Sequence, residues 1–195
     1  MNYAIIGTGK EGQALARKQI EVAIASRRST EALAPVAKAI GQTIIPKSLQ
    51  DAVKADIIIL AIPFGTQKEV AKAAESWQGK IVIDVTNAYG VAPEELGNLP
   101  SSVVISQAFP GAKLVKAFNS LAAEVLAQDP NVKGGKRVVF LSSDDEGGAA
   151  QVATLVEQLG FAPVQLGKLA EGGVLIQARG KIWAQLIFQD FVKFK

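Results

Sequence analysis

Along most of this chain, short and almost purely apolar runs alternate with longer stretches whose apolar residues recur every three or four positions. The apolar runs read as strands at 3–6, 21–25, 42–46, 56–62, 80–85, 113–118, 137–141 and 162–166, since strands covered on both faces lose the polar alternation. The run Asp56-Ile57-Ile58-Ile59-Leu60-Ala61-Ile62 is the clearest. The periodic stretches predict helices at 12–18, 30–40, 48–55, 67–77, 101–109, 121–127 and 146–159, with a helical turn at 93–96. Gly41, Gly160 and the Pro110-Gly111 pair are stop signals. Strand followed by helix, repeated, implies a mostly parallel α/β sheet wound on both faces. Trp183, Ile187 and Phe191 fall at i, i+4 and i+8 within 173–194 and predict a long C-terminal helix.

The first strand runs into Gly7-Thr8-Gly9-Lys10-Glu11-Gly12, and a helix follows. A G-x-G-x-x-G turn in that setting points to a dinucleotide. Gly7 allows the sharp turn, Gly9 lets a pyrophosphate approach the backbone, and Gly12 lets the helix lie close to the sheet. The alternative is a purely structural glycine turn. With this motif the fold expectation becomes a single Rossmann-like, doubly wound domain over 1–195, whose 170–195 segment is helical.

The tip of the second strand decides which dinucleotide. An acid there, about 20 residues into the unit, binds the ribose 2′-hydroxyl of NAD. This chain has Ser26-Arg27-Arg28 instead, with no adjacent acid. A hydroxyl and two guanidiniums suit the 2′-phosphate of NADP, against the alternative of a solvated loop.

Three more strand ends carry candidate chemistry. Ala61-Ile62-Pro63-Phe64 lies at the carboxyl edge, where open parallel sheets bind ligands; Phe64 is either a cleft wall or a hydrophobic plug. Thr86 and Asn87 end one later strand, and Ala117 and Asn119 another. Asn87 and Asn119 are candidates for positioning a nicotinamide or its partner. Asp84 reads as a structural hydrogen-bond acceptor, with a catalytic role as its alternative. Asp144-Asp145-Glu146 reads as a helix cap rather than an acid/base pair.

Composition narrows the chemistry. The 195 residues contain no Cys and no His, which excludes thiolate and imidazole nucleophiles, bases and metal ligands, so no metal is expected. Hydrophobic residues make up 49% of the chain, yet no apolar run reaches the roughly 18 residues of a membrane span. Met1-Asn2-Tyr3 leads straight into a strand, so a cytoplasmic protein without a secretory leader is expected. The net charge of +3 is scattered, giving no nucleic-acid footprint.

With these elements placed, the chain resembles the NADP-dependent reductases of the deazaflavin coenzyme F420, to which the nucleotide-binding domain of membrane ferric reductases is related. The residues that carry the resemblance are Gly7-Thr8-Gly9, Ser26-Arg27-Arg28, Ala61-Ile62-Pro63-Phe64, Asp84-Val85-Thr86-Asn87, Lys116-Ala117-Phe118-Asn119 and Gly160-Phe161. It implies NADP(H) along the strand tips and a flat hydride acceptor, coenzyme F420 itself or a flavin-like or ferric species, near the nicotinamide. The crossover from Gly12 to Glu21 is about one helical turn shorter than the family's. Nothing in the residues demands catalysis, so a non-catalytic NADP(H) sensor stays open. Phe188, Phe191 and Phe194, close to the chain end, suggest a homodimer.

Overall fold

A computed structural model describes residues 1–18, 21–180, 182–183 and 185–194. In chain order the first half comprises β1 (Tyr3–Ile6), α1 (Lys10–Ala16), β2 (Val22–Ala25), α2 (Thr30–Ile40), β3 (Ile44–Pro46), α3 (Leu49–Ala52), β4 (Ile57–Leu60), α4 (Gln67–Ala71), β5 (Ile81–Asp84) and β6 (Ala88–Tyr89). A 3-10 turn at Pro93–Leu96 precedes α5 (Ser101–Gln107), β7 (Lys113–Ala117), α6 (Ala123–Leu126), β8 (Asn131–Val132) and β9 (Gly135–Ser143). The chain continues through α7 (Glu146–Gln158), β10 (Ala162–Gln165), α8 (Gly172–Leu175), β11 (Ala178–Gly180), β12 (Ile182–Trp183) and β13 (Val192–Lys193).

The main sheet has the order β10-β9-β7-β5-β4-β1-β2-β3. All its neighbours are parallel except β7 and β9. Alternate residues of each central strand go to opposite faces, as a two-residue side-chain period requires. Ile5, Ile57, Ile59, Ile83 and Val115 pack with Leu15 of α1 and Val152 and Leu155 of α7. Ile6, Ile58, Leu60 and Val82 pack on the other face with Ala52 of α3, Val70 of α4 and Ile105 of α5. Burying each aliphatic side chain contributes about 1.5–3 kcal/mol, so the two helical layers fix the sheet and hold its strand tips in register. Asp145 caps its helix as the sequence implies, its Oδ1 accepting from Gly148 N, and Ser48 Oγ caps α3 by accepting from Asp51 N.

Two expectations are corrected. The stretch 67–77 is helical only over α4; Trp77 instead enters the core, its indole donating to the Ala71 carbonyl and its ring edge-on to Phe109 at 4.7 Å. The long C-terminal helix over 173–194, and with it the helical 170–195 segment, is absent from the described residues. One turn, α8, is followed by extended pairs: β11 lies parallel to β6 and antiparallel to β12, and β13 runs antiparallel to β9. Gly172, Gly173 and Gly180 lower the helix propensity of this segment, and exposed strand edges capture it. Phe191 then packs edge-on to Phe140 at 5.6 Å rather than continuing a helical stripe. Of the short first crossover, α1 and residues 17–18 are described; Gln19 and Ile20 lie outside the described residues.

Candidate active site

The tips of β2, β1, β4 and β5, which are neighbours in that order, border one cleft of about 810 Å³. Three strand spacings of about 4.8 Å make it roughly 14 Å across, dinucleotide scale.

Gly7 turns the chain off β1 with φ +111°, its N–H donating to the Ala25 carbonyl at 2.8 Å. A Cβ on Gly7 would stand 2.0 Å from the Ala61 carbonyl oxygen, and one on Gly12 would stand 2.3 Å from the Gly7 oxygen. Both glycines are therefore needed by the fold itself. Gly9 differs, because the nearest atom to its Cβ would be Glu11 Oε2 at 3.9 Å. Its backbone is extended, with φ −70°, which any residue adopts. Gln13 Nε2 steadies the turn by donating to the Thr8 carbonyl at 2.9 Å.

These contacts set an expectation. Gly9→Ala is expected to fold like the wild type, because its methyl would meet no protein atom nearer than 3.9 Å, and to lose affinity for NADPH and NADH alike if a pyrophosphate takes that space as the glycine spacing predicts. Gly12→Ala will lose stability first, by about 1–3 kcal/mol, the usual cost of overpacking. Thermal melts beside nucleotide titrations check this; unchanged affinity in Gly9→Ala would move the phosphates elsewhere.

At the β2 tip Ser26, Arg27 and Arg28 line the cleft, and Ser26 Oγ accepts from the Arg28 N–H at 3.1 Å. Both arginines are exposed, and neither forms an ion pair among the described residues. At the β4 tip Ala61, Ile62, Pro63 and Phe64 form an apolar wall. Phe64 is partly buried against the core while also bordering the cleft, so it serves as both wall and plug.

The β5 tip is braced from below. Asp84 and Lys116 are both 0% exposed. Asp84 Oδ1 accepts from Thr86 N (2.9 Å) and Thr86 Oγ1 (2.7 Å), while its Oδ2 accepts from Lys116 Nζ at 3.0 Å. Lys116 Nζ also donates to the Thr86 carbonyl at 3.0 Å. Thr86 and Asn87 reach the cleft. Ala117 and Asn119 do not line it: both are buried. Asn87 and Asn119 form a reciprocal pair, with Asn119 Nδ2 donating to Asn87 Oδ1 (3.1 Å) and Asn87 Nδ2 donating to the Asn119 carbonyl (3.0 Å). Asn87 Oδ1 also accepts from Ala178 N, and Asn119 Nδ2 also donates to the Ile176 carbonyl, so the pair clasps the C-terminal segment to two strand tips.

Of the other residues singled out in the sequence, Thr8 and Glu11 border the cleft, whereas Lys10 lies outside it in an exposed ion pair with Glu124. Among the lining groups that went unforeseen are Leu49, Glu69 and Val70 from helices, and Tyr89 and Val91 beyond Asn87. Tyr89-Gly90, so soon after a strand tip, was a readable turn signal for the latter two. Burial pushes the Tyr89 phenol pKa up, and the Glu11 carboxylate pushes it the same way.

A family model described as "NADP oxidoreductase coenzyme F420-dependent" matches residues 2–88. Among curated relatives, metalloreductase STEAP3 of Rattus norvegicus is 28% identical over 116 residues, 59% of this chain and 23% of its own length. Metalloreductase STEAP2 of Mus musculus is 36% identical over 92 residues, 47% of this chain and 18% of its own. The chain thus spans about a fifth of the length of the curated relatives it matches. Among solved structures, the hypothetical protein SMa0349 of Sinorhizobium meliloti superposes with a TM-score of 0.90 at 39% identity, covering 99% of this chain and 96% of that one. An Arthrobacter protein assigned as an F420-dependent NADP reductase superposes at 0.71 with 26% identity, covering 87% and 86%.

Proposed function

We propose that the chain, whose residues 2–88 match the family model of coenzyme F420-dependent NADP oxidoreductases, is a cytoplasmic, homodimeric NADP(H)-dependent oxidoreductase that exchanges a hydride with a flat redox acceptor. The observation that carries the reading is the order of groups along one cleft: two guanidiniums at the β2 tip, an uncrowded glycine turn at β1, an apolar wall at β4 and neutral polar groups at β5. That order matches the 2′-phosphate, pyrophosphate and nicotinamide of NADP(H). Each of these groups would meet its complement in charge and polarity.

The nucleotide supplies hydride chemistry at its nicotinamide ring. The chain supplies placement. Arg27 and Arg28 would hold the 2′-phosphate, and Gly9 leaves room for the pyrophosphate. Ala61, Ile62 and Pro63 would keep water from the ring face. Asp84 and Lys116 act beneath, fixing Thr86 at the β5 tip. Alignment of this kind lowers a barrier without a dedicated acid or base. Exposed Phe188, Phe191 and Phe194 would be the apolar surface of the dimer.

The test is NADPH oxidation against deazaflavin, flavin, quinone and ferric acceptors, with NADPH deuterated at the transferred position. Turnover with one class, a primary isotope effect and little pH dependence near neutrality are expected. Tight NADPH binding without turnover on any acceptor would make the protein an NADP(H) sensor instead.

A further inference from the structure

Four buried side-chain polar atoms have no hydrogen-bond partner among the described residues: Ser102 Oγ, Asn119 Oδ1, Ser120 Oγ and Ser142 Oγ. All four belong to residues that the C-terminal segment touches. Asn119 Nδ2 donates to the Ile176 carbonyl, the Ser120 carbonyl accepts from the Phe188 N–H, and Gly173 lies against Ser102 and Ser142. A buried hydroxyl left dry costs free energy, so each such group calls for a partner.

Two of the four converge on one place. Ser102, in α5, is 0% exposed, and Ser142, in β9, is 1% exposed. A Cβ built on Gly173 of α8 would stand 3.1 Å from Ser102 Oγ and 3.8 Å from Ser142 Cβ. Both serines therefore border the space that a side chain at position 173 would fill. Gly172 holds that turn in place: a Cβ there would stand 2.1 Å from the Leu166 carbonyl oxygen, so α8 is pressed against the chain just beyond β10. The adjacent Ser101 gives the contrast. Its N–H and Oγ donate to Gln177 Oε1 at 2.9 and 3.0 Å, so the same segment supplies an acceptor to Ser101 and none to Ser102.

Charge narrows what can fit. Ser142 stands directly opposite Lys116 in the β7-β9 pair, so both side chains are on one face of the sheet. A cation there would meet a buried ammonium, and among the described residues no cluster of acids or other ligands could hold a metal ion. Two hydroxyls suit a small neutral group that both donates and accepts.

We propose that Ser102 and Ser142 share one internal water beside Gly173, joining α5 to β9 under α8. A buried water needs two to four polar partners, and the two hydroxyls supply two of them. The water would fix the root of the segment whose Ile176 carbonyl and Ala178 N–H clasp Asn119 and Asn87.

Thermal melts of the full chain are the first test. Ser102→Ala and Ser142→Ala are each expected to lower the melting midpoint by about 2–6 °C, because losing one hydroxyl releases the water and leaves the other unpartnered. The double variant is expected to melt no lower than the less stable single variant, since it leaves no hydroxyl unpartnered. An unchanged or raised midpoint in either single variant would mean a dry hydroxyl, and a double loss near the sum of the two would mean separate partners; each overturns the shared water. A direct bond between the hydroxyls would give the same melts, so a crystal structure of the wild type decides between them. An ordered water within about 3 Å of both Oγ atoms is expected. Two Oγ atoms bonded to each other, or no water between them, would overturn the proposal.

Discussion

Lys116→Met is expected to cost about 3–5 kcal/mol, the range for breaking a buried ion pair by removing one partner. Lys116 and Asp84 are both fully shielded from solvent and 3.0 Å apart. Two charges in such a place gain little net stability from each other, because desolvation offsets most of their attraction. One charge left alone is another matter: Asp84 would keep its two bonds from Thr86 but face an apolar thioether where a cation stood. For a domain of this size the loss lowers the melting midpoint by roughly 6–20 °C. The double variant Lys116→Met with Asp84→Leu is expected to recover much of that, since a well-packed apolar pair often matches a buried ionic one. The measurement is a double-mutant cycle in urea. A single-variant loss below about 1 kcal/mol would mean that water reaches the pair.

The contrast between this pair and the glycine turn shows what a sequence can disclose. Gly7, Gly9 and Gly12 act within one local turn, so their spacing was readable, as was the apolar run that became β4. The β2 tip was readable for the same reason: Ser26, Arg27 and Arg28 are consecutive, and the β-α-β unit fixes where they end up. Asp84 and Lys116 are 32 residues apart, as are Asn87 and Asn119. Only the β5-β7 register, Asp84 opposite Lys116, brings them together. No local pattern encodes such a register.

The C-terminal segment misled for a related reason. Apolar residues at i, i+4 and i+8 satisfy a helix, but sheet edges were present to recruit the same chain as strands. One consequence is that the clasp at Asn87 and the backbone of Tyr89 are held partly by residues about ninety positions away. Their roles become visible only once β6 and β11 are seen side by side.

The largest expected effect on binding comes from the β2 tip. Arg27→Ala with Arg28→Ala should weaken NADPH by about 1.5–3 kcal/mol or more, the range for a charge-assisted contact, which is roughly 10- to 150-fold in affinity. NADH lacks the 2′-phosphate, so its affinity should change by little more than the loss of general positive potential in the cleft. Neither guanidinium supports the fold through an ion pair among the described residues, and both are exposed, so the double variant should melt with the wild type. The Ser26 Oγ contact is made with the Arg28 backbone, so truncating the side chain leaves the loop its anchor. The binding loss should shrink as salt rises, because screening over about 8 Å at physiological ionic strength weakens contacts made at the cleft rim. Titrations of both nucleotides into both proteins at two ionic strengths decide the matter. Equal losses for NADPH and NADH would remove the 2′-phosphate from Arg27 and Arg28, and with it the basis for NADP over NAD at this site.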